Sequence, residues 1–300
     1  MKVTIVGGGF VGHATGRGFA KHKHEVDFID TSTERIAHLK KLGLSASSPQ
    51  KYSHIISDVT MFCVPTPTKG QSIQLDYLKS AVSDFAKRLK NHQKYHVAVI
   101  RSTVPPKTTR EIIIPIIETI SGKKAGRDFG ISMQPEYLRE KTATDDFERP
   151  WFVLIGELDK KSGDSLEILY RSFDAPIERC SLEEAEMQKY VHNLYNAVKI
   201  AFFNEMRIVF KREGWNADSM FRATAESCEG IWNPTYGIKD FGPFDGSCLP
   251  KDTRAFLEWG DSNGYDLGIL RAVIAENIKH EKILGKNETV RVNHLASITI

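Results

Sequence analysis

The chain has 300 residues, of which 41% are hydrophobic and 26% are charged, proportions typical of a globular protein in water. Its 41 basic and 38 acidic residues leave a net charge of +3, and no run of Lys or Arg is long enough to indicate a nucleic-acid-binding face. This length is at the limit of what one hydrophobic core organises, which favours two domains.

Short apolar segments alternate with helical patterns through the first half of the chain, as a doubly wound parallel sheet requires. Strands are predicted at residues 2–6, 25–29, 59–64, 97–101, 130–133 and 152–155. Helices are predicted at 11–21, 33–42, 75–89 and 108–120, and Pro115 should kink or split the last of these. The predicted fold class is therefore α/β.

The pattern changes after residue 180. Ser181, followed by Glu183 and Glu184, is a favourable N-cap with acidic residues in the first helical turn. The helical pattern then continues to about residue 212 without glycine or proline, which is longer than most helices of globular domains. Further helices are predicted at 217–225, 249–259 and 270–283. We predict a sheet domain over 1–180, an all-α domain over 181–285 and a polar tail over 286–300, with the long helix as connector.

A glycine-rich loop follows the first predicted strand. Gly7, Gly9 and Gly12 satisfy the pattern G-x-G-x-x-G, and Phe10 and Val11 lie between the last two glycines as the helix begins. The first glycine permits a tight turn, the second lets the backbone approach a pyrophosphate, and the third lets the helix pack closely on the strand. The helix N-terminus stabilises the phosphate charge. In this strand–loop–helix context the loop predicts a Rossmann-type dinucleotide-binding domain.

The residue at the end of the second strand indicates which dinucleotide binds. A carboxylate at Asp30 accepts a hydrogen bond from a ribose 2′-OH and repels a 2′-phosphate, which favours NAD over NADP. Arg35, early in the next helix, is placed to reach the adenosine side. We therefore predict NAD as the cofactor, with Asp30 and Arg35 among its contacts.

The four cysteines are scattered, without a C-x-x-C pair or metal-type spacing, so we expect neither a structural metal site nor a disulfide framework. Cys248 stands in a glycine-flanked turn directly before a predicted helix. There the positive end of the helix dipole favours a thiolate, and Lys251 adds positive charge. Such a thiolate is a nucleophile, although a lone cysteine taken by itself is more often a packing residue.

The segment GSCLPKD at residues 246–252 resembles the active-cysteine motif of the nucleotide-sugar (UDP-glucose/GDP-mannose) 6-dehydrogenase family. Five more segments match that family's motifs in order: GGGFVG at 7–12, VPTP at 64–67, RSTVP at 101–105, QPEYLRE at 134–140 and EEAEMQKYVHN at 183–193. The resemblance extends over nearly the whole chain.

The resemblance implies that the C6 alcohol of a nucleotide-linked sugar is oxidised to a carboxylate with two NAD. Lys189 and Asn193 would hold the reacting oxygen, and their i, i+4 spacing places both on one helix face. Asp252 would orient a water that accepts the first proton. Cys248 would attack the resulting aldehyde, and Glu136 would be the base that hydrolyses the thioester.

Further contacts are implied by the resemblance alone. Thr103, which also counts among the catalytic residues, and Glu140 would lie beside the nicotinamide, with Thr66 along the cofactor. The remaining substrate contacts would come from Tyr137, Leu138, Gly246 and Lys251.

Four features depart from the family pattern. Members usually continue with a third, nucleotide-binding domain, whereas this sequence ends at about the point where that domain would begin. Asp245 stands where a glycine is usual, and Gln134 stands where an asparagine is usual. No arginine occurs between Gly230 and Ser247, where the family commonly supplies one to a neighbouring subunit. These features leave the identity of the substrate open.

Two other functions stay open from the sequence. A single-step dehydrogenase of the 3-hydroxyacid or 6-phosphogluconate type shares the domain arrangement and the K-x-x-x-N pair but needs no cysteine. A non-catalytic NAD-binding or assembly module derived from this family would not need to keep the catalytic residues.

The sequence also bears on compartment and partners. It has no signal-peptide pattern and no apolar stretch long enough to span a bilayer, so we expect a cytoplasmic protein. We expect a sugar or nucleotide-sugar substrate, a homodimer through the long helix, and no nucleic-acid or membrane partner.

Overall fold

The computed structural model describes residues 1–52, 54–139, 141–238 and 242–291, with side chains described up to residue 283. The chain divides into two compact units, Met1–Asn193 and Leu194–Ile300. The division falls within one long helix rather than at a loop. The domain limits inferred from the sequence, residues 180 and 285, stay predictions.

An eight-stranded sheet forms the centre of the first unit. Its strands are β1 (Lys2–Val6), β2 (Glu25–Ile29), β3 (Ser45–Ser47), β4 (Val59–Phe62), β7 (Val97–Ile100), β8 (Gly130–Met133), β9 (Val153–Glu157) and β10 (Ile177–Ser181), and a separate hairpin consists of β5 (Thr68–Lys69) and β6 (Ser72–Ile73). Across the sheet the order is β10-β9-β8-β7-β4-β1-β2-β3. The chain reverses its direction of winding from β1, as in dinucleotide-binding sheets.

Helices cover both faces of this sheet, and β4, β7 and β8 are buried at every residue. Because both faces of such strands are buried, their sequences are nearly continuous apolar segments. The helices of this unit are α1 (Phe10–Lys21), α2 (Thr33–Lys41), α3 (Asp76–Leu89), α4 (Ile114–Ser121), α5 (Ala143–Glu148) and α6 (Lys160–Tyr170). One hydrophobic cluster is centred on Phe19 and Phe28, and another, on the opposite face, includes Phe62, Phe85 and Leu89.

The predicted α/β class is confirmed, with one difference in strand direction. β8 pairs antiparallel with β9, and β10 pairs parallel with β9, so these last two strands oppose the rest. The sequence patterns missed β3, β10, α5, α6 and the short hairpin of β5 and β6. β3 has three residues, α5 has six, and β10 carries charged residues at a sheet edge, so these three elements show no long apolar periodicity. The buried residues of α6 do follow a helical spacing, which the sequence patterns overlooked.

The helix predicted around Pro115 is split, as expected. A π-helical turn occupies Thr109–Ile113, and α4 begins directly after it with the proline in its first turn. Proline lacks the N–H that an interior helical position needs but not the one that a first turn would leave unpaired. The prediction of a kink or split at this residue is confirmed.

The long helix α7 spans Leu182–Glu213 and is continuous across the division between the units. Ser181 and Glu184 form a capping box, in which the Glu184 N–H donates to Ser181 Oγ at 3.2 Å and the Ser181 N–H donates to the Glu184 carboxylate at 2.8 Å. The second unit adds α8 (Ala217–Ser227), α9 (Glu229–Trp232), α10 (Leu249–Ser262) and α11 (Gly268–Arg291).

α11 continues past residue 283, where its end was predicted. Residues 292–300 of the predicted polar tail lie outside the described residues. Within the described part of the chain, none of the helices is both long and apolar enough to cross a bilayer.

A buried histidine lies at the amino end of the central strands. His96 is fully buried, with Nδ1 3.0 Å from the Ser57 carbonyl oxygen and Nε2 2.9 Å from Thr60 Oγ1. Burial, aided by the neighbouring His92, lowers the pKa of His96 from 6.5 to about 3. The folded protein therefore holds this ring neutral at pH values where an unfolded chain protonates it.

We expect His96 to make the protein acid-sensitive. Because its folded pKa is depressed, its contribution to stability is complete above about pH 6.5 and is lost as the pH falls towards 3. At about 1.4 kcal/mol per pH unit, the loss reaches roughly 3 kcal/mol by pH 4. Urea unfolding from pH 7 to pH 4 measures it. His96→Gln is the control, since its amide bonds both partners without titrating, and parallel pH profiles for the two proteins would contradict the assignment.

Candidate functional site

The glycine-rich loop between β1 and α1 has space for backbone only. Gly7 has φ +97°, in the left-handed region that favours glycine. A Cβ on Gly12 would lie 1.8 Å from the Gly7 carbonyl oxygen, and one on Gly7 would lie 2.8 Å from that of Cys63. No side chain caps α1 at Gly9. The first N–H groups of this helix are therefore available to an anionic ligand such as a phosphate.

Asp30 follows β2 and is held in a fixed orientation. It is 7% exposed, and its Oδ2 accepts the Gly8 N–H at 2.6 Å while its Oδ1 accepts the Ser32 N–H at 2.8 Å. Arg35 Nη1 lies 4.0 Å from Asp30 Oδ2. The structure thus brings the acidic residue and the arginine predicted from the sequence to the glycine-rich loop.

A groove runs along the carboxyl ends of β1, β2, β4 and β7. A cavity of about 210 Å³ beside Asp30 adjoins one of about 310 Å³ beside Thr66, Thr103 and Glu136. The two cavities share the residues Gly9, Arg35, Cys63, Val64 and Pro65. The carboxyl edge of such a sheet, at the reversal of strand order, is where α/β proteins bind ligands.

One wall of the groove was missed by the sequence reasoning. α3 contributes residues at helical spacing, namely Tyr77, Ser80, Ala81, Asp84 and Arg88. A polar stripe on a helix is ordinarily a solvated face, so the sequence alone contains no signal that this stripe faces a cavity.

The other end of the groove carries a buried ion pair. Lys189 Nζ donates to the Glu136 carbonyl oxygen at 2.5 Å and lies 3.1 Å from its Oε1. The two side chains are 7% and 15% exposed. Tyr137 lies beside them, its ring centroid 5.5 Å from Lys189 Nζ, and Leu138 donates its N–H to Glu136 Oε2 at 2.7 Å. Asn193 is one helical turn beyond Lys189 and is exposed.

Two short links fix the loops that follow β4 and β7. Thr66 Oγ1 donates to the Thr103 carbonyl oxygen at 2.7 Å, and Ser102 Oγ donates to the Val64 carbonyl oxygen at 2.6 Å. These bonds hold the VPTP and RSTVP segments side by side along the groove.

Gln134, one of the departures from the family pattern, belongs to a buried network. It is 4% exposed, and its amide oxygen accepts from Arg101 and, at 2.9 Å, from the Tyr170 hydroxyl. Arg101 is 3% exposed, donates to Thr15 Oγ1 at 2.9 Å and lines the groove. The sequence reasoning gave Arg101 no role, although a cation directly after an apolar strand was a signal.

The four cysteines differ in exposure and in chemistry. Burial raises the pKa of Cys63 to about 12 and that of Cys180 to about 11, so these thiols stay protonated near neutral pH. Cys228 and Cys248 are exposed, and both belong to the second unit. A nucleophilic thiol must come from the exposed pair.

Cys248 occupies the N-cap position of α10. The turn before it uses Gly246 with φ +87°, and the Asp252 N–H closes the first helical turn on the Cys248 carbonyl oxygen at 2.9 Å. Lys251 Nζ pairs with Asp252 Oδ1 at 2.9 Å, and both side chains are largely exposed. The predicted turn before a helix is present, and the glycine, cysteine, lysine and aspartate of the motif lie together in the second unit.

Asp245, which stands where the family has glycine, is exposed and accepts the Gly246 N–H at 2.6 Å, so it stabilises its own turn. Glu140, predicted beside the nicotinamide, lies outside the described residues.

A glycine loop opening α1, a fixed carboxylate after β2 and a groove at the carboxyl edge of the sheet define a dinucleotide-binding protein of the Rossmann type. Residues 1–53 and 41–174 match the NAD binding domain of the UDP-glucose/GDP-mannose dehydrogenase family, and residues 183–279 match its central domain. The chain belongs to the UDP-glucose/GDP-mannose dehydrogenase family.

Individual relatives agree with this assignment. The chain is 37% identical to GDP-mannose 6-dehydrogenase of Pseudomonas putida over 277 residues, which are 85% of this chain and 63% of that protein. It is 34% identical to that of Pseudomonas syringae pv. tomato, over 92% of this chain and 68% of that protein. A ternary complex of GDP-mannose dehydrogenase from Pseudomonas aeruginosa matches with TM-score 0.86 and 33% identity, over 93% of this chain and 69% of that one. The chain thus spans about two thirds of these proteins.

The groove fits NAD, the cofactor of this domain family. Asp30 lines one end of the groove, where it would bind the adenosine ribose, the uncapped start of α1 would face the pyrophosphate, and Thr103 and Glu136 line the far end, where the nicotinamide would lie. A fixed carboxylate at the ribose favours the cofactor without a 2′-phosphate.

Proposed function

We propose that this protein oxidises the C6 alcohol of a nucleotide sugar to a carboxylate in two NAD-dependent steps through a covalent adduct on Cys248. The exposed thiol at the N-cap of α10 carries the proposal, because a single-step hydroxyacid dehydrogenase has no use for it. Family membership supports the substrate class, and the relatives named GDP-mannose 6-dehydrogenase make GDP-mannose the first candidate.

In the first step, Lys189 and Asn193 hold the C6 oxygen. Lys189 must turn from Glu136 towards this oxygen, where its charge stabilises the developing alkoxide. Asp252 orients a water that accepts the hydroxyl proton. The cofactor, when bound, accepts a hydride from C6 in each of the two steps, and the first product is the aldehyde.

In the second step, the Cys248 thiolate adds to the aldehyde carbon and forms a thiohemiacetal. Loss of the second hydride converts it to a thioester, which water hydrolyses with Glu136 as base, releasing the carboxylate and the free thiolate. In sum, the alcohol, two NAD⁺ and one water give the carboxylate, two NADH and three protons.

The test is a measurement of NADH formation with GDP-mannose, UDP-glucose, UDP-N-acetylhexosamines, and free or phosphorylated sugars. Two NADH per molecule of one nucleotide sugar, with the uronic acid as product, is the expected result. One NADH per substrate, with a stable ketone or aldehyde, would favour a single-step dehydrogenase. NAD binding without turnover of any substrate would favour a non-catalytic module.

We also propose a homodimer through α7. Four large apolar side chains on one face of its second-unit part are between 41% and 59% exposed, namely Leu194, Tyr195, Val198 and Phe202. Their i, i+1, i+4, i+8 spacing makes a continuous apolar stripe, and an exposed stripe of this kind typically marks a protein interface.

Val198→Asp is expected to convert the dimer to a monomer, because an unpaired carboxylate at the centre of the stripe would be desolvated on association. Light scattering coupled to gel filtration at micromolar concentration measures the mass. Ile200→Asp provides the control, since Ile200 is 62% exposed and lies on the opposite face of the same helix from Val198. A wild-type protein that is already monomeric would contradict the interface.

A further inference from the structure

Asn277 makes an unusual pair of contacts within the second unit. It lies on α11 and is 8% exposed. Its Oδ1 accepts the Phe244 N–H at 2.7 Å, and its Nδ2 donates to the Phe244 carbonyl oxygen at 3.2 Å. One side-chain amide thus pairs both backbone groups of a loop residue, as a neighbouring strand would.

Helix formation does not explain why residue 277 is an asparagine. Asparagine is a poor residue for a helix interior, and Asn277 stands well inside a helix of 24 residues. Its amide also donates to Glu281 Oε1 at 3.2 Å, one turn further along the same helix. The hydrogen bonds of this side chain therefore hold the Phe244 backbone and fix the orientation of the Asn277 amide itself.

Phe244 belongs to the loop that leads into the cysteine turn. Asp245 and Gly246 form a tight turn closed by their own hydrogen bond, and Cys248 is the N-cap residue of α10. The position of the thiol therefore depends on two attachments, the first turn of α10 on one side and the Asn277–Phe244 pair on the other.

We propose that Asn277 is a positioning residue for Cys248: its two bonds to Phe244 fix the loop so that the thiolate meets the aldehyde carbon at the start of α10. The inference rests on the proposed role of Cys248. Covalent attack needs the sulfur within about 3–3.5 Å of the carbon, and a misplacement of about 1 Å can cost on the order of 100-fold in rate. The first hydride step does not use the thiol, so it should be much less affected.

The test uses the full chain with Asn277→Leu, which keeps the side-chain volume and removes both bonds. Asn277→Asp keeps the bond from the Phe244 N–H and loses the other. Glu281→Gln is the control, because it keeps an acceptor for Asn277 and leaves the Phe244 pair intact. Single-turnover NADH formation is measured separately from the alcohol and from the aldehyde, with circular dichroism to confirm folding.

For Asn277→Leu we expect the aldehyde step to fall about 100-fold and the alcohol step to stay within about threefold. The aspartate variant should lie between this and the unaffected control. Equal loss in both steps, or an unchanged aldehyde step in a folded variant, would overturn the proposal. If the leucine variant does not fold, the aspartate variant is judged by the same criterion.

A second measurement needs no substrate and so separates this inference from the proposed function. Iodoacetamide labelling followed by peptide mass spectrometry reports the alkylation rates of Cys248 and Cys228, both exposed in the same unit. In Asn277→Leu the ratio of the Cys248 rate to the Cys228 rate should fall about threefold, because the released loop no longer holds the thiol in one orientation over the first turn of α10. A falling ratio in a protein that oxidises no sugar would retain the positioning role and refute the reaction, whereas a constant ratio would refute the positioning role.

Discussion

Cys248→Ala is expected to stop formation of the uronic acid while leaving oxidation of the alcohol to the aldehyde in place. The first hydride leaves while Lys189 and Asn193 hold the oxygen, and that step requires no thiol. The second hydride leaves from a sulfur adduct that alanine cannot form. We expect acid formation to fall by at least about 10³-fold and the NADH yield to drop from two per substrate to one or fewer.

The measurement combines NADH absorbance with trapping of the aldehyde by a hydrazine. Cys228→Ala is the matched control, because it removes the other exposed thiol of the same unit and should keep full stoichiometry. Two NADH per substrate from the Cys248 variant would refute the covalent mechanism and with it the reason for preferring a four-electron enzyme.

Lys189→Met is expected to slow both oxidation steps, in contrast to the cysteine variant. Lys189 is almost fully buried, where its charge acts through a medium of low dielectric and stabilises an oxyanion more strongly than in water. We expect kcat for the alcohol and for the aldehyde to fall about 10²- to 10³-fold. Lys199→Met makes the same change at an exposed position of the same helix and should leave kcat unchanged.

The same variant should also be less stable, because it leaves the Glu136 carboxylate without its cation. Removing one partner of a buried ion pair typically costs about 3–5 kcal/mol, and the partial exposure of Glu136 places this case at the lower end. Lys189→Met/Glu136→Gln should recover stability without recovering activity. Recovery of both would show that Lys189 serves the fold rather than the reaction.

The elements that are specified by residues close together in the sequence were predicted. β1, β2 and β8 have the predicted bounds. The glycine loop was identified because its glycines stand at a fixed spacing within a few residues of one another. The start of α7 was predicted because Ser181 and Glu184 cap it through bonds only three residues apart. The family assignment, also confirmed, rests on short motifs in a fixed order.

The edge strand β10 and the direction of the last strands were not predicted, because they depend on residues that are far apart in the chain. β10 pairs with β9 through its backbone, and its side chains are only partly buried. Its sequence therefore shows little periodicity of apolar residues. The antiparallel pairing of β8 with β9 involves only two residue pairs, and nothing in either strand specifies direction. Direction follows from how α5 and the surrounding loops return the chain to the sheet.

By itself, then, the sequence determined the dinucleotide loop, the turn that places Cys248 before a helix, and the family. Only the tertiary structure decided which distant side chains meet: Lys189 pairs with a carboxylate 53 residues away, and Asn277 pairs with a backbone 33 residues away. The physical reason is that periodicity and turn chemistry specify the face on which a residue lies, whereas its partner depends on how separate elements pack together.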